Sequence, residues 1–217
     1  MTSPSAGFDR LAGVYRLLEV GAFGHALERA RFVHLDRLSR CRRILVLGEG
    51  DGRCLARLLR MAPTAHVDVI DISPAMLARA GAALLPEDRP RVRLHQADIL
   101  RSDLPDGPYD GVTTMFFLDC FTATELRTLV PRITAALAPA AVWLWADFRV
   151  PERGVIRWYA QACVGALYAF FRWQAGISAR RLPPAEEMIE VAGFRATQRR
   201  EYRGGLIRSV VFERRPT

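Results

Sequence analysis

Apolar residues near the start of the chain recur at helical spacing, with Phe8, Leu11, Tyr15 and Leu18 three and four positions apart on one face. One or two helices are expected over Phe8 to Leu38, broken by Gly21 and Gly24. Beyond them, short apolar runs alternate with amphipathic stretches. Strands are expected at Arg42–Leu47, Val67–Asp71, Val92–Gln96 and Gly111–Met115, and helices at Arg53–Arg60, Pro74–Leu84 and Ala123–Leu137. Such an alternation makes an α/β chain with a mostly parallel sheet and helices on both faces. Ala140 to Phe148 is almost continuously apolar, as a central strand covered on both sides should be, which puts Trp143 and Trp145 in the core. Near the end, Leu182-Pro183-Pro184 opens a helix that runs to Ala192 and is capped by Gly193. Two β-rich segments, Phe194–Tyr202 and Leu206–Glu213, then join through Gly204-Gly205 as a hairpin.

Composition narrows the partners more than the fold. A chain of 217 residues fits one domain, 1–217, able to bury roughly 70% of its unfolded surface. All 31 basic residues are arginine and the net charge is +8, yet the arginines are spread along the chain. They read as a solvated surface, and no nucleic-acid partner is expected. Cys41, Cys54, Cys120 and Cys163 show no C-x-x-C spacing and follow no signal peptide, so they point to a reducing compartment, the cytoplasm. Neither they nor His25, His34, His66 and His95 match a metal-ligand spacing, and no metal is expected.

The chemistry starts where the first strand ends, in Ile44-Leu45-Val46-Leu47-Gly48-Glu49-Gly50-Asp51-Gly52-Arg53. Alternate glycines bring bare backbone up to a ligand. A dinucleotide fingerprint would need a small third position where this chain has Arg53, and a P-loop would need a lysine that the chain lacks. Glu49 and Asp51 would repel a pyrophosphate but suit a cation bearing a sulfonium and an ammonium, such as S-adenosylmethionine. Asp71, about 20 residues further on at the end of the second strand, is placed to accept both ribose hydroxyls.

Three further segments stand in order after the glycine loop: Asp71-Ile72-Ser73-Pro74-Ala75-Met76-Leu77, Gln96-Ala97-Asp98-Ile99 and Tyr109-Asp110-Gly111-Val112. With them the chain resembles the class I S-adenosylmethionine-dependent methyltransferases from about Arg42 to Phe148. More weakly, and to the C-terminus, it resembles the ubiquinone/menaquinone-type small-molecule methyltransferases. The resemblance implies a Rossmann-like seven-stranded, mostly parallel sheet ending in an antiparallel hairpin. It also implies an N-terminal helical cover (1–40), a cofactor-binding core (41–148), a helical lid (150–180) and a C-terminal helix with the hairpin (181–217). By the same resemblance Asp98 bonds the adenine amino group, Ile99 flanks the ring, Ile72 and Met76 join the cofactor wall, and Met115 or Phe116 line the pocket beyond the fourth strand. One departure stands out. Many members of the family carry an acid two residues before the first glycine, where this chain has Val46; Glu49 or Asp51 is then expected to compensate.

Val155–Gly176 is rich in aromatics, among them Trp158, Tyr159, Tyr168, Phe170, Phe171 and Trp173. Arg157, Gln161 and Arg172 leave it short of the about 18 uninterrupted apolar residues of a membrane span. As a lid it favours a small apolar or aromatic acceptor; as a packing helix it says nothing about substrate, and a weak contact with a membrane surface is a third reading. Oligomeric state is open. For catalysis the expected candidates are Asp119, in the segment after the fourth strand, and Tyr15 from the N-terminal cover; Asp119 would orient the acceptor or take its proton. The competing role for Asp119 is to cap the helix that begins near Phe121 or Ala123. Cys120 reads as a packing residue. A catalytically inactive cofactor-binding subunit of the same fold is the alternative function, resting on Val46 alone.

Overall fold

The computed structural model describes residues 23–151, 156–175, 179 and 181–215. Its elements are helix α1 (Ala26–Phe32), strand β1 (Arg43–Leu47), α2 (Arg53–Met61), β2 (His66–Asp71), α3 (Pro74–Ala82), β3 (Val92–Gln96) and β4 (Tyr109–Met115). They continue with α4 (Ala123–Ala135), β5 (Leu137–Phe148), α5 (Ile156–Ala175), α6 (Ala185–Val191), β6 (Phe194–Tyr202) and β7 (Ile207–Arg214). Seven strands form one sheet in the order β3-β2-β1-β4-β5-β7-β6. β7 is the antiparallel strand, and it sits between β5 and β6 rather than at the edge.

Alternation along each strand divides the core into two layers. Ile44, Val46, Val67, Val69, Leu144, Ala146 and Phe148 face α1, α2, α3 and α5, while Leu45, Leu47, Val112, Trp143 and Trp145 face α4 and α6. A strand whose two faces are both covered must be apolar throughout, which is why β1 reads as an unbroken hydrophobic run. Trp143 and Trp145 are both core residues, 0% and 4% exposed. β5 begins earlier than its apolar run, at Leu137, with Pro139 and Ala140 exposed at its start.

The chain leaves β1 outward through β2 and β3, then returns to the other side of β1 with β4 and β5. Parallel sheets open a crevice at the carboxyl ends of the strands where the winding reverses, here between β1 and β4. Among the described residues, no helix is long and apolar enough to cross a membrane.

Candidate active site at the carboxyl edge of the sheet

Three backbone hydrogen bonds draw the strand ends into one rim. Gly48 N–H donates to Ile70 O (3.0 Å), Ala97 N–H to Asp71 O (3.1 Å) and Phe116 N–H to Ala146 O (2.6 Å). Gly48 to Gly52, Asp71, Ile72 and Asp98 therefore line up along the β1, β2 and β3 ends, while Met115, Phe116 and Asp119 stand on the β4 side.

Gly48, Gly50 and Gly52 take φ of +69°, +75° and +85°. A Cβ on Gly48 would collide with the ring of Phe117. At Gly50 the same atom would meet nothing within 4 Å, so the backbone there borders open space. Such bare backbone beside an acid-lined crevice fits S-adenosylmethionine. The acids converge: Asp71 acts electrostatically on both Glu49 and Cys120, and Arg31 on Glu49 and Asp119.

The two loop carboxylates turn toward the start of α2. Gly52 occupies the cap position without a side chain to offer, and Glu49 Oε1 accepts the Leu55 N–H (2.6 Å) in its place. Asp51 Oδ2 accepts from Arg53 Nε (2.7 Å). Burial lifts the Glu49 carboxyl to about 8, against the opposing pull of the Leu55 N–H and Arg31. A carboxyl raised in the folded state stabilises it fully below its unfolded value of 4.5 and loses that contribution as pH rises through about 8. Glu49→Gln keeps an acceptor for Leu55 N–H and should therefore gain on the parent protein as pH rises from 5 to 9. The full shift corresponds to about 5 kcal/mol; with solvent reaching the loop, roughly 2 kcal/mol, or about 5 °C in melting temperature, is expected. Melting curves of both proteins at the two pH values check this, and an unchanged difference would refute it.

Asp71 and Asp98 are set by local turns. Asp71 Oδ1 accepts Ser73 N–H (2.9 Å), and Ser73 Oγ caps α3 by accepting Met76 N–H (3.1 Å), with Pro74 at the first helical position. Met76 is thus buried in the first turn of α3. Asp98 Oδ1 accepts Leu100 N–H (3.0 Å), and Arg101 Nε lies 3.4 Å from its other oxygen. Ile99 is buried beside it and Ile72 is partly exposed.

Beyond β4 the backbone turns sharply. Phe116 takes φ +56°, a costly conformation for a bulky residue, and its ring packs on Phe148 (5.3 Å) beneath the Arg31 guanidinium (4.9 Å). The turn delivers Asp119 on a short 3-10 segment, Leu118–Cys120. Asp119 does not cap α4, because Thr122 is the cap residue, in a reciprocal box with Glu125. Asp119 is 9% exposed, its carbonyl accepts from Tyr168 Oη (2.7 Å) and its Oδ1 faces Cys120 Sγ (3.6 Å). Burial drives the Cys120 thiol well above its ordinary value, so it is no thiolate nucleophile.

The residue that sequence reasoning missed is Asp147, at the carboxyl end of β5. It is 2% exposed, its Oδ2 accepts from Trp145 Nε1 (2.8 Å), and its side chain reaches that of Asp119. A lone acid closing an apolar strand was the available signal. Trp145 and Tyr168, which hold the two aspartates, also line a cavity of about 740 Å³ between α5, α6 and the β5 end. Tyr15 lies outside the described residues.

A methyltransferase domain family model matches residues 44–140. A demethylmenaquinone methyltransferase of Thermus thermophilus is 32% identical, the match covering 86% of this chain and 90% of that protein. Among solved structures, the apo S-adenosylmethionine-dependent methyltransferase SibL superposes with a TM-score of 0.63 at 25% identity, over 97% of this chain and 62% of that one. Human N-acetylserotonin methyltransferase in complex with SAM gives 0.65 at 16%, over 97% and 56%. This chain spans about three-fifths of the length of those two structures.

Proposed function

Since the chain belongs to the class I S-adenosylmethionine-dependent methyltransferases of small-molecule type, we propose that it methylates a small apolar or aromatic acceptor bearing an ionisable proton, as a phenol or quinol does, and that Asp119 takes that proton. The observation that carries this reading is the cavity of about 740 Å³ walled on one side by Trp145, Phe148, Val164 and Tyr168. Its apolar side is of a size to bury a ring, its other side carries Arg149, Glu186, Glu187 and Arg208, and Trp145 and Tyr168 link it by hydrogen bonds to Asp147 and to the Asp119 carbonyl. Helix α5 acts as the cover. The Thermus relative, named for a demethylmenaquinone acceptor, supports an apolar ring of this kind.

When bound, S-adenosylmethionine would supply an electrophilic methyl carbon to the acceptor's lone pair and leave as the neutral thioether S-adenosylhomocysteine. The protein's own part is positional. Asp71 and Asp98 would hold the ribose and adenine, and the backbone at Gly50 leaves room for the amino-acid end. Phe116, Phe148 and α5 keep water from the acceptor, and Asp119 receives its proton as charge leaves the nucleophile.

Calorimetry should show S-adenosylmethionine binding, and S-adenosylhomocysteine should be released with phenols and quinols from a panel that also contains thiols and amines. Tight cofactor binding with no turnover on any phenol or quinol would overturn the acceptor assignment. If no other class reacted either, the protein would be a non-catalytic binder.

A further inference from the structure

Two buried carboxyls meet at the carboxyl edge of the sheet, one from the turn after β4 and one from the end of β5, and their hydrogen bonds do not close if both are ionised. Asp147 Oδ2 has the Trp145 indole N–H, whereas its Oδ1 is buried with no hydrogen-bond partner. The groups acting on the Asp147 carboxyl from the neighbouring turn are the carboxyl and the backbone N–H of Asp119. Two carboxylates are both acceptors and repel; a single proton between them satisfies the orphan oxygen and removes the repulsion. The proton belongs on Asp147. It is the more deeply buried of the two, while Asp119 retains slight exposure and the Cys120 thiol as a donor.

We propose that Asp119 and Asp147 form a two-carboxyl, one-proton pair in which Asp147 keeps the proton on Oδ1 and holds Asp119 as an ionised base turned toward the acceptor. This rests on the acceptor-site reading above and adds a positioning residue to it. Asp147 touches no substrate; it acts through Asp119. The indole of Trp145 fixes which Asp147 oxygen carries the proton, and the Tyr168 hydroxyl fixes the Asp119 backbone. The other charged or titratable groups facing the pair are Cys120 on the same turn, Tyr168 on α5, Arg31 on α1 and Asp71 at the end of β2. The directions agree: burial raises both carboxyls, the contact with Asp147 offsets part of that rise and leaves Asp119 at about 6, and burial together with the Asp119 charge sends Asp147 well above the ordinary range. During transfer the acceptor's proton passes to Asp119, Asp147 keeps its own, and deprotonation of Asp119 by solvent resets the pair.

The test is carboxyl NMR on full-length protein labelled with carboxyl-¹³C aspartate, with no acceptor present. The parent protein should show one buried aspartate ionising near pH 6 and another still protonated after the first has ionised. Asp147→Asn, whose amide can donate in place of the acid proton, should remove the second signal and leave Asp119 within half a pH unit. Asp147→Leu should raise the Asp119 midpoint by a unit or more and move the acidic limb of kcat/KM by the same amount, with at least a tenfold loss of turnover at pH 6.5. Two aspartates ionising independently in the ordinary range would overturn the pair, as would an Asp119 midpoint unmoved by Asp147→Leu. Should Asp147→Leu fail to fold, the parent and Asn spectra still decide. A parent protein with the paired titration but no turnover of a phenol or quinol would sink the acceptor reading and leave the pair standing.

Discussion

Asp119→Asn should lower methyl transfer to a phenolic acceptor by about 10²- to 10⁴-fold while leaving S-adenosylmethionine affinity within roughly threefold, because general-base catalysis contributes on that scale. Asparagine matches aspartate in shape and can still face Cys120 and Asp147, so packing is conserved and the proton acceptor is lost. Loss of fold cannot mimic the effect. Asp119 is pushed up by burial to about 6 from 3.8, so its contribution to stability is complete below 3.8 and lost as pH rises through 6. At pH 8 the neutral variant should melt no lower than the parent. In the parent, kcat/KM should fall below pH 6 as Asp119 takes up a proton. A thiol acceptor, already partly ionised at neutral pH, should be hurt far less by the substitution than a phenol. Single-turnover rates on both acceptor classes, with calorimetric cofactor affinities, provide the check. Equal losses on thiol and phenol would remove Asp119 from proton transfer and leave it a positioning role.

Much of this framework was legible in the residues. β1 is apolar from Ile44 to Leu47 because both its faces are covered, and the glycines follow at once, so the strand, its burial and the ligand-facing turn could be read together. Ser73-Pro74 marked the start of α3 by its chemistry alone. The placement of β7 between β5 and β6 was not legible, since a hairpin specifies which strands pair but not which of the two joins the sheet. Nor was the direction of Glu49. Its identity suggested a cofactor ligand, but whether a loop carboxylate turns outward or back to a helix start depends on the cap, and Gly52 at that position leaves the Leu55 N–H for it. Asp147 was hidden for a related reason. In sequence it is one polar residue in an apolar run; its meaning comes from the β4–β5 register, which sets Met115 against Ala146 and so brings the two strand ends level. The strained backbone at Phe116 then folds Asp119 back onto them.

The glycine loop offers a contrast between two positions two residues apart. Gly50→Ala and Gly52→Ala both force a side chain into a left-handed conformation, at about 1–2 kcal/mol each. Beyond that they part. A methyl at Gly50 enters open space, so the cofactor-free protein should remain folded with its melting point lowered by a few degrees. If that open space receives the ligand, S-adenosylmethionine affinity should drop at least tenfold. A methyl at Gly52 lies 2.7 Å from the Ala80 Cα and 3.0 Å from the Ala83 Cβ, against the backbone of α3, which cannot swing aside as a flexible side chain would. Separating α2 from α3 to admit it adds roughly 1–3 kcal/mol of overpacking to the strain, about 10 °C in melting temperature for a chain of this size. Melting curves without ligand and calorimetry with it therefore sort the two variants, Gly52→Ala by stability and Gly50→Ala by affinity. A Gly50→Ala protein that bound as tightly as the parent would mean that the ligand keeps clear of this backbone, and the crevice would have to be read from Asp71 and Asp98 alone.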